Sequence, residues 1–381
     1  MKILIVTGIF PPDHGGPASH VPAIASALAH KHQIVALVTL SDDEHPDGAF
    51  PFPLVRIPRH QPRSIRLLTT IATIRRLTRQ ADVVYLNGLL LEGISACKVF
   101  ARRPVVMKVV GDLIWERARN QRVTSDSFES FQARRYSLKW EILKHLQCRC
   151  IRAADRVIVP SRYLARIVRG WGVPVERIAI VYNGVQTPAA CETEPRFDLV
   201  TVARLVDWKG VGELILLAAV NGWSLKIVGD GPLRRPLEAM ARDSGAAARI
   251  HFVGRVPAGD VVQHIRSARL FVLNSSYEGL PHVVLEAKAA GVAVVASAAG
   301  GTPETISDGV DGMLFGVNDG AALKQVVRRL LDDGVTRRRI AEAGMRQVHR
   351  GFPFLDMAAA TESLLAGAAS GRTPGRTVLK D

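Results

Sequence analysis

The sequence has few cysteines, few aromatic residues and no long uninterrupted apolar run. Its four cysteines form neither a CxxC pair nor a zinc spacing with nearby histidines, which excludes a disulfide scaffold and favours a reducing cytoplasm. No stretch approaches the ~20 apolar residues of a membrane-spanning helix, so any membrane contact is predicted to be peripheral. The opening apolar run ends at Pro11 without a small-residue cleavage site and is predicted to be a strand rather than a signal peptide.

Positive charge is abundant and unevenly distributed. The formal charge is +15, and residues 1–190 hold 27 Lys and Arg against 14 Asp and Glu, whereas the remaining residues hold 23 against 21. A basic half attracts nucleic acid, an anionic membrane or a phosphate-bearing substrate, and charge alone does not choose among them. The basic stretch 134–156 lacks a base-reading element, so nucleic acid is not predicted as a partner.

Short β-branched runs alternate with longer helical patterns, which predicts α/β domains with doubly wound parallel sheets. The predicted strands are Lys2–Val6, Ile34–Thr39, Val83–Asn87, Val105–Val109, Arg156–Pro160, Ile178–Tyr182, Phe197–Val202, Ser224–Val228, Ile250–Phe252, Leu270–Leu273, Ala293–Ala296 and Gly312–Phe315. The clearest predicted helices are Ala18–Lys31, Ser64–Gln80, a long segment from about Thr124 to Ala154, and Asp319–Asp332.

A chain of 381 residues with a polar, proline-bearing segment at 186–195 predicts two such domains in series. We expect a first domain at 1–188 and a second at 195–352. A helix within 353–370 is expected to cross back to the first domain, and residues 371–381 are expected to be a disordered tail. In doubly wound sheets, ligands bind beyond the carboxyl ends of the strands.

The loop between the first strand and the first helix contains the adjacent glycines Gly15 and Gly16. Without Cβ atoms they let backbone N–H groups approach an anion at the positive end of the helix, which suits a diphosphate. The alternative is a tight turn with no ligand. The pattern is not GxGxxG, so a nicotinamide-dinucleotide site is poorly supported.

Two elements follow strand ends early in the second half. Arg204 and Lys209 come just after the strand Phe197–Val202, where two cations can converge on phosphate oxygens. Gly229 begins a Gly-Asp-Gly-Pro turn of the kind that brings backbone near a ligand. A solvated loop and an ordinary turn are the respective alternatives.

The most specific feature places Glu278 and Glu286 eight residues apart, around a glycine turn and a helix start. The first carboxylate could accept hydrogen bonds from sugar hydroxyls and the second could bind a ribose. The N–H groups of Gly279 and Leu280 are expected to point at phosphate from the helix N-terminus. The alternative is a capping acid followed by a solvated helix glutamate.

Taken in this order, these motifs resemble the retaining glycosyltransferases of family 4, the glycosyl transferases group 1, which have the GT-B fold of two facing Rossmann-like domains. The resemblance covers nearly the whole chain and is closest in residues 197–320. It implies that Gly16 donates its N–H to the diphosphate of a nucleotide-sugar donor, while Arg204 and Lys209 neutralise the leaving phosphates. It implies no metal and no cofactor, because the nucleotide sugar is a substrate.

The resemblance also assigns the remaining donor contacts. Glu278 would hold hydroxyls of the transferred sugar, and Glu286 would hold the nucleotide ribose. Backbone near Gly254, after the strand Ile250–Phe252, would lie beside the base. The donor-binding set is completed by Gly15, Gly229, Arg255, Val256, Gly279 and Leu280.

One position departs from the family pattern. Many members carry a histidine at the end of the fourth strand of the first domain, beside the anomeric carbon, whereas this chain has Asp112 nearest that place. Asp112 is therefore a candidate catalytic residue that bonds or positions the acceptor. The alternatives are that Asp112 only caps a helix and that the departing phosphate takes the acceptor proton.

The segment Arg63–Gln80 reads as an amphipathic helix, with Leu67, Leu68, Ile71 and Ile74 on one side and five arginines largely elsewhere. Such a helix can lie on an anionic membrane surface, and enzymes of this family often use lipid-linked acceptors. A core-facing helix with a solvated basic face is the alternative. The predicted location is the cytoplasm, with a peripheral position at the inner membrane face left open.

The predicted function is transfer of a sugar from a UDP- or GDP-linked donor to a hydroxyl acceptor, with retention of configuration and without metal. The acceptor could be lipid-linked, or an intermediate of a polysaccharide or natural product. The alternatives are a catalytically weak sugar-nucleotide- or lipid-binding subunit with the same fold, or another enzyme of this architecture such as a nucleotide-sugar epimerase or a glycosyl phosphorylase.

Overall fold

The computed structural model describes residues 1–13, 16–42, 50–188 and 194–371. Gly15, part of the predicted linker and nearly all of the predicted tail lie outside these ranges. The chain divides into two compact units, which are described separately. The first comprises Met1–Thr124, Ser130–Tyr182 and Leu355–Asp381; the second comprises Ser125–Glu129 and Asn183–Phe354.

The first unit is built on a parallel sheet of seven strands. Their bounds are β1 Lys2–Thr7, β2 Gln33–Leu40, β3 Leu54–Ile57, β4 Val83–Asn87, β5 Val105–Lys108, β6 Arg156–Val159 and β7 Ile178–Ile180. The strands lie in the order β3-β2-β1-β4-β5-β6-β7, so the direction of winding reverses between β1 and β4. At such a reversal the loops after the two strands diverge and leave a crevice at their carboxyl ends.

The helices up to residue 170 flank this sheet in sequence. They are α1 Gly16–Ala29, α2 Arg63–Thr78, α3 Leu90–Ile94, α4 Leu113–Asn120, α5 Phe128–Ala133, α6 Leu138–Arg152 and α7 Arg162–Gly170, with a π-helical turn at Ser95–Phe100. A 3₁₀ turn at Val175–Arg177 precedes β7.

The second unit contains a parallel sheet of six strands in the order β10-β9-β8-β11-β12-β13. The strands are β8 Phe197–Val202, β9 Leu225–Val228, β10 Ile250–Gly254, β11 Ala268–Leu273, β12 Ala293–Ser297 and β13 Met313–Phe315. Its helices are α8 Val211–Asn221, α9 Arg234–Asp243, α10 Val261–Arg266, α11 His282–Ala289, α12 Gly320–Asp332 and α13 Gly334–Gly351, and the chain ends in α14 Phe354–Ala369, which belongs to the first unit from Leu355. Here the winding reverses between β8 and β11.

Consecutive residues of the central strands in the second unit enter opposite sides of its core. Leu199 and Leu270 belong to the apolar cluster on one face, whereas their chain neighbours Val200 and Phe271 belong to the cluster on the other face. Since successive side chains of a strand point to opposite faces, both faces of this sheet are covered. The two parallel sheets confirm the predicted doubly wound α/β class.

Two predictions of secondary structure were wrong. The long helix expected from Thr124 to Ala154 is interrupted between Ala133 and Leu138, where the backbone N–H of Tyr136 donates to the Glu141 carboxylate at 3.0 Å. The short strand β3 was missed because its four residues stand between prolines and form the sheet edge.

The last helix returns to the first unit from Leu355 onward. Glu362 of α14 accepts a hydrogen bond from Lys31 Nζ at 3.1 Å and lies 2.9 Å from His32 Nε2. Both residues lie in the turn between α1 and β2, so the two contacts attach α14 to the first unit. Within the described ranges, every helix is too short or too polar to cross a membrane.

Candidate active site

The switch point of the second sheet brings together two residues that the sequence proposed separately. Lys209 follows β8 and Glu278 follows β11, and Lys209 Nζ lies 2.5 Å from Glu278 Oε1. Ser275 Oγ donates to the same carboxylate oxygen at 2.7 Å. Glu278 is buried and Lys209 is largely so, which strengthens the interaction between the two charges. This cation and carboxylate stand where doubly wound sheets bind ligands.

Lys209 is held by the turn in which it lies. Residues Asp207–Lys209 form a 3₁₀ turn whose middle residue, Trp208, is buried. Gly210 ends this turn with a φ of 60°, and a Cβ atom there would lie 2.1 Å from the carbonyl oxygen of Asn274. Only glycine fits this left-handed position against the loop after β11. Gly210 therefore lets the loops that carry Lys209 and Glu278 approach each other.

The N-terminus of α11 lies directly after Glu278. Gly279 and Leu280 are buried, and the residue that precedes the helix is Pro281, whose side chain cannot cap it. The N–H groups of the first turn therefore receive no side-chain capping bond, and they carry the positive end of the helix dipole. An anion is favoured at this end of the helix.

Glu286 lies one turn into α11 and is paired with His282. Its Oε1 is 3.2 Å from His282 Nδ1, and His282 Nε2 is 3.3 Å from the carbonyl oxygen of Gly184. Gly184 precedes Val185, which pairs with Pro353 in an isolated bridge. The candidate ribose-binding carboxylate is thus connected by one imidazole to the segment where the chain enters the second unit.

The glycine turns at the ends of β9 and β10 are in contact with each other. Gly229 donates its N–H to the carbonyl of Gly254 at 2.8 Å, and both have positive φ. A Cβ on Gly229 would lie 2.0 Å from the oxygen of Ala203. Arg255 is exposed and has Nε 3.6 Å from Asp230 Oδ2. These strand ends form a close-packed backbone edge next to the loop that carries Arg204, and Val256 packs against the core.

Sequence reasoning missed a neighbouring glycine loop. Gly301 follows β12 and donates its N–H to the carbonyl of Glu278 at 2.9 Å. The hydroxyl of Thr302 is buried without a hydrogen-bond partner in the described part of the chain. The signal was available, because Gly300 and Gly301 are adjacent glycines after a strand, as Gly15 and Gly16 are.

Phe128 was also missed, and no local pattern identifies it. It is buried and stacks on Tyr277 with ring centroids 4.3 Å apart. Tyr277 immediately precedes Glu278, so an aromatic residue from the first half of the sequence supports the loop of the second unit that carries the carboxylate.

Other predicted residues belong to other elements of the fold. Arg204 is exposed after β8, and its side chain makes no hydrogen bond or ion pair with any residue within the described ranges. Gly16 is the first residue of α1 and belongs to the first unit, as does Asp112. Across the described ranges, no three His, Cys, Asp or Glu side chains are grouped so that they could hold a metal ion.

Asp112 occupies a capping position at the start of α4. Its Oδ1 accepts hydrogen bonds from the backbone N–H groups of Ile114 and Trp115 at 2.8 and 3.1 Å. Gln147 donates to Oδ1 at 2.9 Å and Gln132 donates to Oδ2 at 2.8 Å. With the side chain 1% exposed and four donors directed at it, the carboxylate has the surroundings of a buried helix cap. The structure thus favours the capping alternative over contact with an acceptor.

Comparison with known proteins decides the family. The model of "Glycosyl transferases group 1" matches residues 190–347, and that of "Glycosyltransferase Family 4" matches residues 14–188. Together they span both units. The chain belongs to the GT-B glycosyltransferases of family-4 type.

Individual relatives of this glycosyltransferase agree in length and fold. The GDP-mannose-dependent alpha-(1-6)-phosphatidylinositol monomannoside mannosyltransferase of Mycolicibacterium smegmatis is 29% identical over 91% of this chain and 93% of its own. Sucrose-phosphate synthase from Thermosynechococcus elongatus superposes with a TM-score of 0.81 at 20% identity, over 97% of this chain and 99% of that one. HepE from Anabaena, solved with UDP and glucose, superposes with a TM-score of 0.78 at 21% identity, over 96% of this chain and 99% of that one. These likenesses confirm the GT-B fold.

The role of Asp112 in the glycosyltransferase can be tested by Asp112→Asn. We expect this variant to lose about 1–2 kcal/mol of stability, because a helix cap and its glutamine contacts are weakened. Turnover should stay within about threefold of wild type, whereas loss of a general base typically costs about 10²–10⁴. Denaturant unfolding and the kcat of sugar transfer measure the two effects. A fall in kcat beyond about 10²-fold with unchanged stability would restore Asp112 as a catalytic residue.

Proposed function

We propose that this glycosyltransferase moves a sugar from a UDP- or GDP-linked donor to a hydroxyl acceptor with retention of configuration and without metal. The observation that carries the proposal is the buried pair of Lys209 and Glu278 at the switch point of the second sheet, next to an uncapped helix N-terminus. One group is suited to a leaving diphosphate and the other to sugar hydroxyls.

The reaction breaks the bond between the anomeric carbon and the donor phosphate oxygen and forms a bond to the acceptor oxygen. Negative charge grows on the departing nucleoside diphosphate, and preorganised cations and N–H dipoles lower the barrier by meeting that charge. A bound diphosphate competes with Glu278 for Lys209, which frees the carboxylate for hydroxyl groups of the sugar. Arg204 is exposed and available to the same phosphates. The departing phosphate takes the acceptor proton, since Asp112 is engaged as a cap.

The nucleotide is expected to lie along the glycine turns and α11. Gly229 and Gly254 bring backbone close together at two adjacent strand ends, and the Glu286 carboxylate is expected to accept hydrogen bonds from a ribose diol. The Mycolicibacterium relative is named for GDP-mannose and HepE was solved with UDP, which supports a sugar nucleotide as donor. The two names differ in the nucleotide base, so the base of the donor is the first property to determine.

Thermal-shift titration with UDP, GDP, ADP and NAD tests the donor site. One nucleoside diphosphate should stabilise the wild type, and Glu286→Ala should weaken that stabilisation, while His349→Ala, an exposed control at the end of α13, should not. Sugar nucleotides of the selected base are then assayed for turnover with EDTA present, and proton NMR of the product reads the anomeric configuration. If no diphosphate stabilises the protein, the binding-subunit alternative replaces this proposal.

We also propose a peripheral contact between α2 and an anionic membrane surface. Of the apolar residues assigned to one side of this helix, Ile74 is buried as expected, but Leu68 is 67% exposed, together with Ile65 at 52%. Exposed apolar side chains beside arginines suit the boundary between head groups and acyl chains. This mixed surface favours an anionic lipid surface over a purely solvated basic face.

Vesicle flotation tests this contact. Wild-type protein should float with vesicles that contain anionic phosphatidylglycerol and not with pure phosphatidylcholine, and Arg75→Glu with Arg76→Glu should abolish flotation. The matched control is Arg328→Glu with Arg329→Glu, an adjacent exposed pair near the end of α12. Equal flotation of both charge-reversed variants would exclude α2 as the membrane contact.

A further inference from the structure

The first sheet has a switch point of its own, between β1 and β4, and polar side chains line it. Thr7 at the end of β1 pairs in register with Asn87 at the end of β4. On the next strand Met107 pairs with Leu86, so Lys108 stands beside Asn87 one step further along. Residues in register in a parallel sheet point to the same face. Thr7, Asn87 and Lys108 therefore form one polar row at the carboxyl ends of three adjacent strands.

Lys108 is a buried amine in contact with an imidazole. Its side chain is 4% exposed, and its Nζ lies 2.7 Å from Nε2 of His20 on α1. Burial lowers the pKa of Lys108 to about 7. A buried lysine is costly for folding, and groups of this kind concentrate where a protein binds or transforms a ligand.

Asn87 supplies an independent observation. It is 4% exposed, and its amide makes no hydrogen bond with any other residue in the described ranges. Buried side-chain amides are normally hydrogen-bonded, so an unpartnered one at a sheet's switch point is available to a ligand. The backbone is also closely packed at this point. A Cβ atom on Gly88 would lie only 2.9 Å from the backbone N of Gly8, so the loops after β1 and β4 approach each other closely.

We propose that Asn87, Lys108 and His20 form an oxyanion site that binds a phosphate group carried by the acceptor. All three side chains can donate hydrogen bonds and none carries negative charge, so together they favour an anion over a neutral sugar. Its three residues belong to the first unit, whereas Lys209 and Glu278 belong to the second. This inference rests on the proposed function, since it assigns the site to the acceptor of that transfer.

Calorimetric titration with inorganic phosphate and with glycerol 3-phosphate tests the site in the full chain. We expect wild-type protein to bind both, and Lys108→Met and Asn87→Asp to weaken binding at least tenfold. Asn87→Asp preserves the shape of the side chain and places a carboxylate against the anion, so it remains informative if Lys108→Met fails to fold. Lys139→Met, a change of an exposed lysine on α6, is the control and should leave binding unchanged.

The variant Lys209→Met distinguishes binding at the donor site from binding at this one. That variant should keep its affinity for glycerol 3-phosphate and lose affinity for nucleoside diphosphate, whereas Asn87→Asp should do the reverse. Absence of phosphate binding in wild type would overturn the inference, and so would phosphate binding that disappears in Lys209→Met and persists in Asn87→Asp. Nucleotide binding by wild type is read separately, so failure of the proposed donor site gives a different result from failure of this acceptor site.

Discussion

Replacing Lys209 by methionine is expected to lower the kcat of sugar transfer by about 10²–10³-fold. The ammonium group lies 2.5 Å from the Glu278 carboxylate, and in the proposed function it meets the charge that the leaving diphosphate gains. Methionine keeps the length and the apolar stem but offers no charge to that phosphate. Steady-state kinetics with the donor selected by thermal shift measure the loss, and Lys324→Met on α12 is the matched lysine control.

A second substitution, at Glu278, makes this prediction more specific. Lys209→Met leaves Glu278 buried without its cation and close to the expected diphosphate, so repulsion adds to the lost attraction. Adding Glu278→Gln removes that repulsion, and the double variant should bind nucleoside diphosphate more tightly than Lys209→Met alone. Turnover should not recover, because the carboxylate for sugar hydroxyls is also gone. A kcat of Lys209→Met within about tenfold of wild type would contradict the assigned role of the cation.

Replacing Lys288 by methionine is expected to reduce the free energy of unfolding by about 3–5 kcal/mol. Lys288 is 1% exposed, and its Nζ donates to Asp311 Oδ1 at 2.7 Å, to the carbonyl of Thr305 at 2.5 Å and to Gln347 at 3.2 Å. Burial lowers the pKa of Lys288 and the Asp311 carboxylate opposes that shift. Removing the amine leaves the buried Asp311 carboxylate without its cation and breaks the hydrogen bond between α11 and Gln347 of α13. Urea unfolding followed by far-UV circular dichroism measures the change.

Two further variants separate this mechanism from a general loss of packing. Lys288→Met combined with Asp311→Leu should recover most of the stability, because no buried charge is then left unpaired. Arg346→Met breaks an ion pair with Glu342 in which both side chains are about 60% exposed, and it should change stability by less than about 0.5 kcal/mol. If the double variant is as unstable as Lys288→Met, the stranded carboxylate is not the cause.

The positions of the strands were largely predictable, because a strand buried on both faces must be an apolar β-branched run. Phe197–Val202 and Val83–Asn87 were predicted with the bounds that the structure shows. The prediction failed at β3, where the run is short and bounded by prolines, and between α5 and α6, where a glutamate carboxylate binding the Tyr136 N–H ends the helical pattern. The first run is too short to show a periodicity, and in the second case a local contact competes with it.

The sequence by itself determined the doubly wound class, the two sheets and the residue types for phosphate and sugar chemistry, because hydrophobic pattern and glycine position are local properties. Only the tertiary structure decided which of those residues act together. Lys209 and Glu278 are 69 positions apart and meet because β8 and β11 are neighbours in the sheet. Asn87 and Lys108 become neighbours by the register of β4 with β5, and the Asp112 carboxylate, which caps α4 locally, also receives bonds from two glutamines of separate helices. Strand order and register arise from the packing of the whole domain, which no local pattern contains.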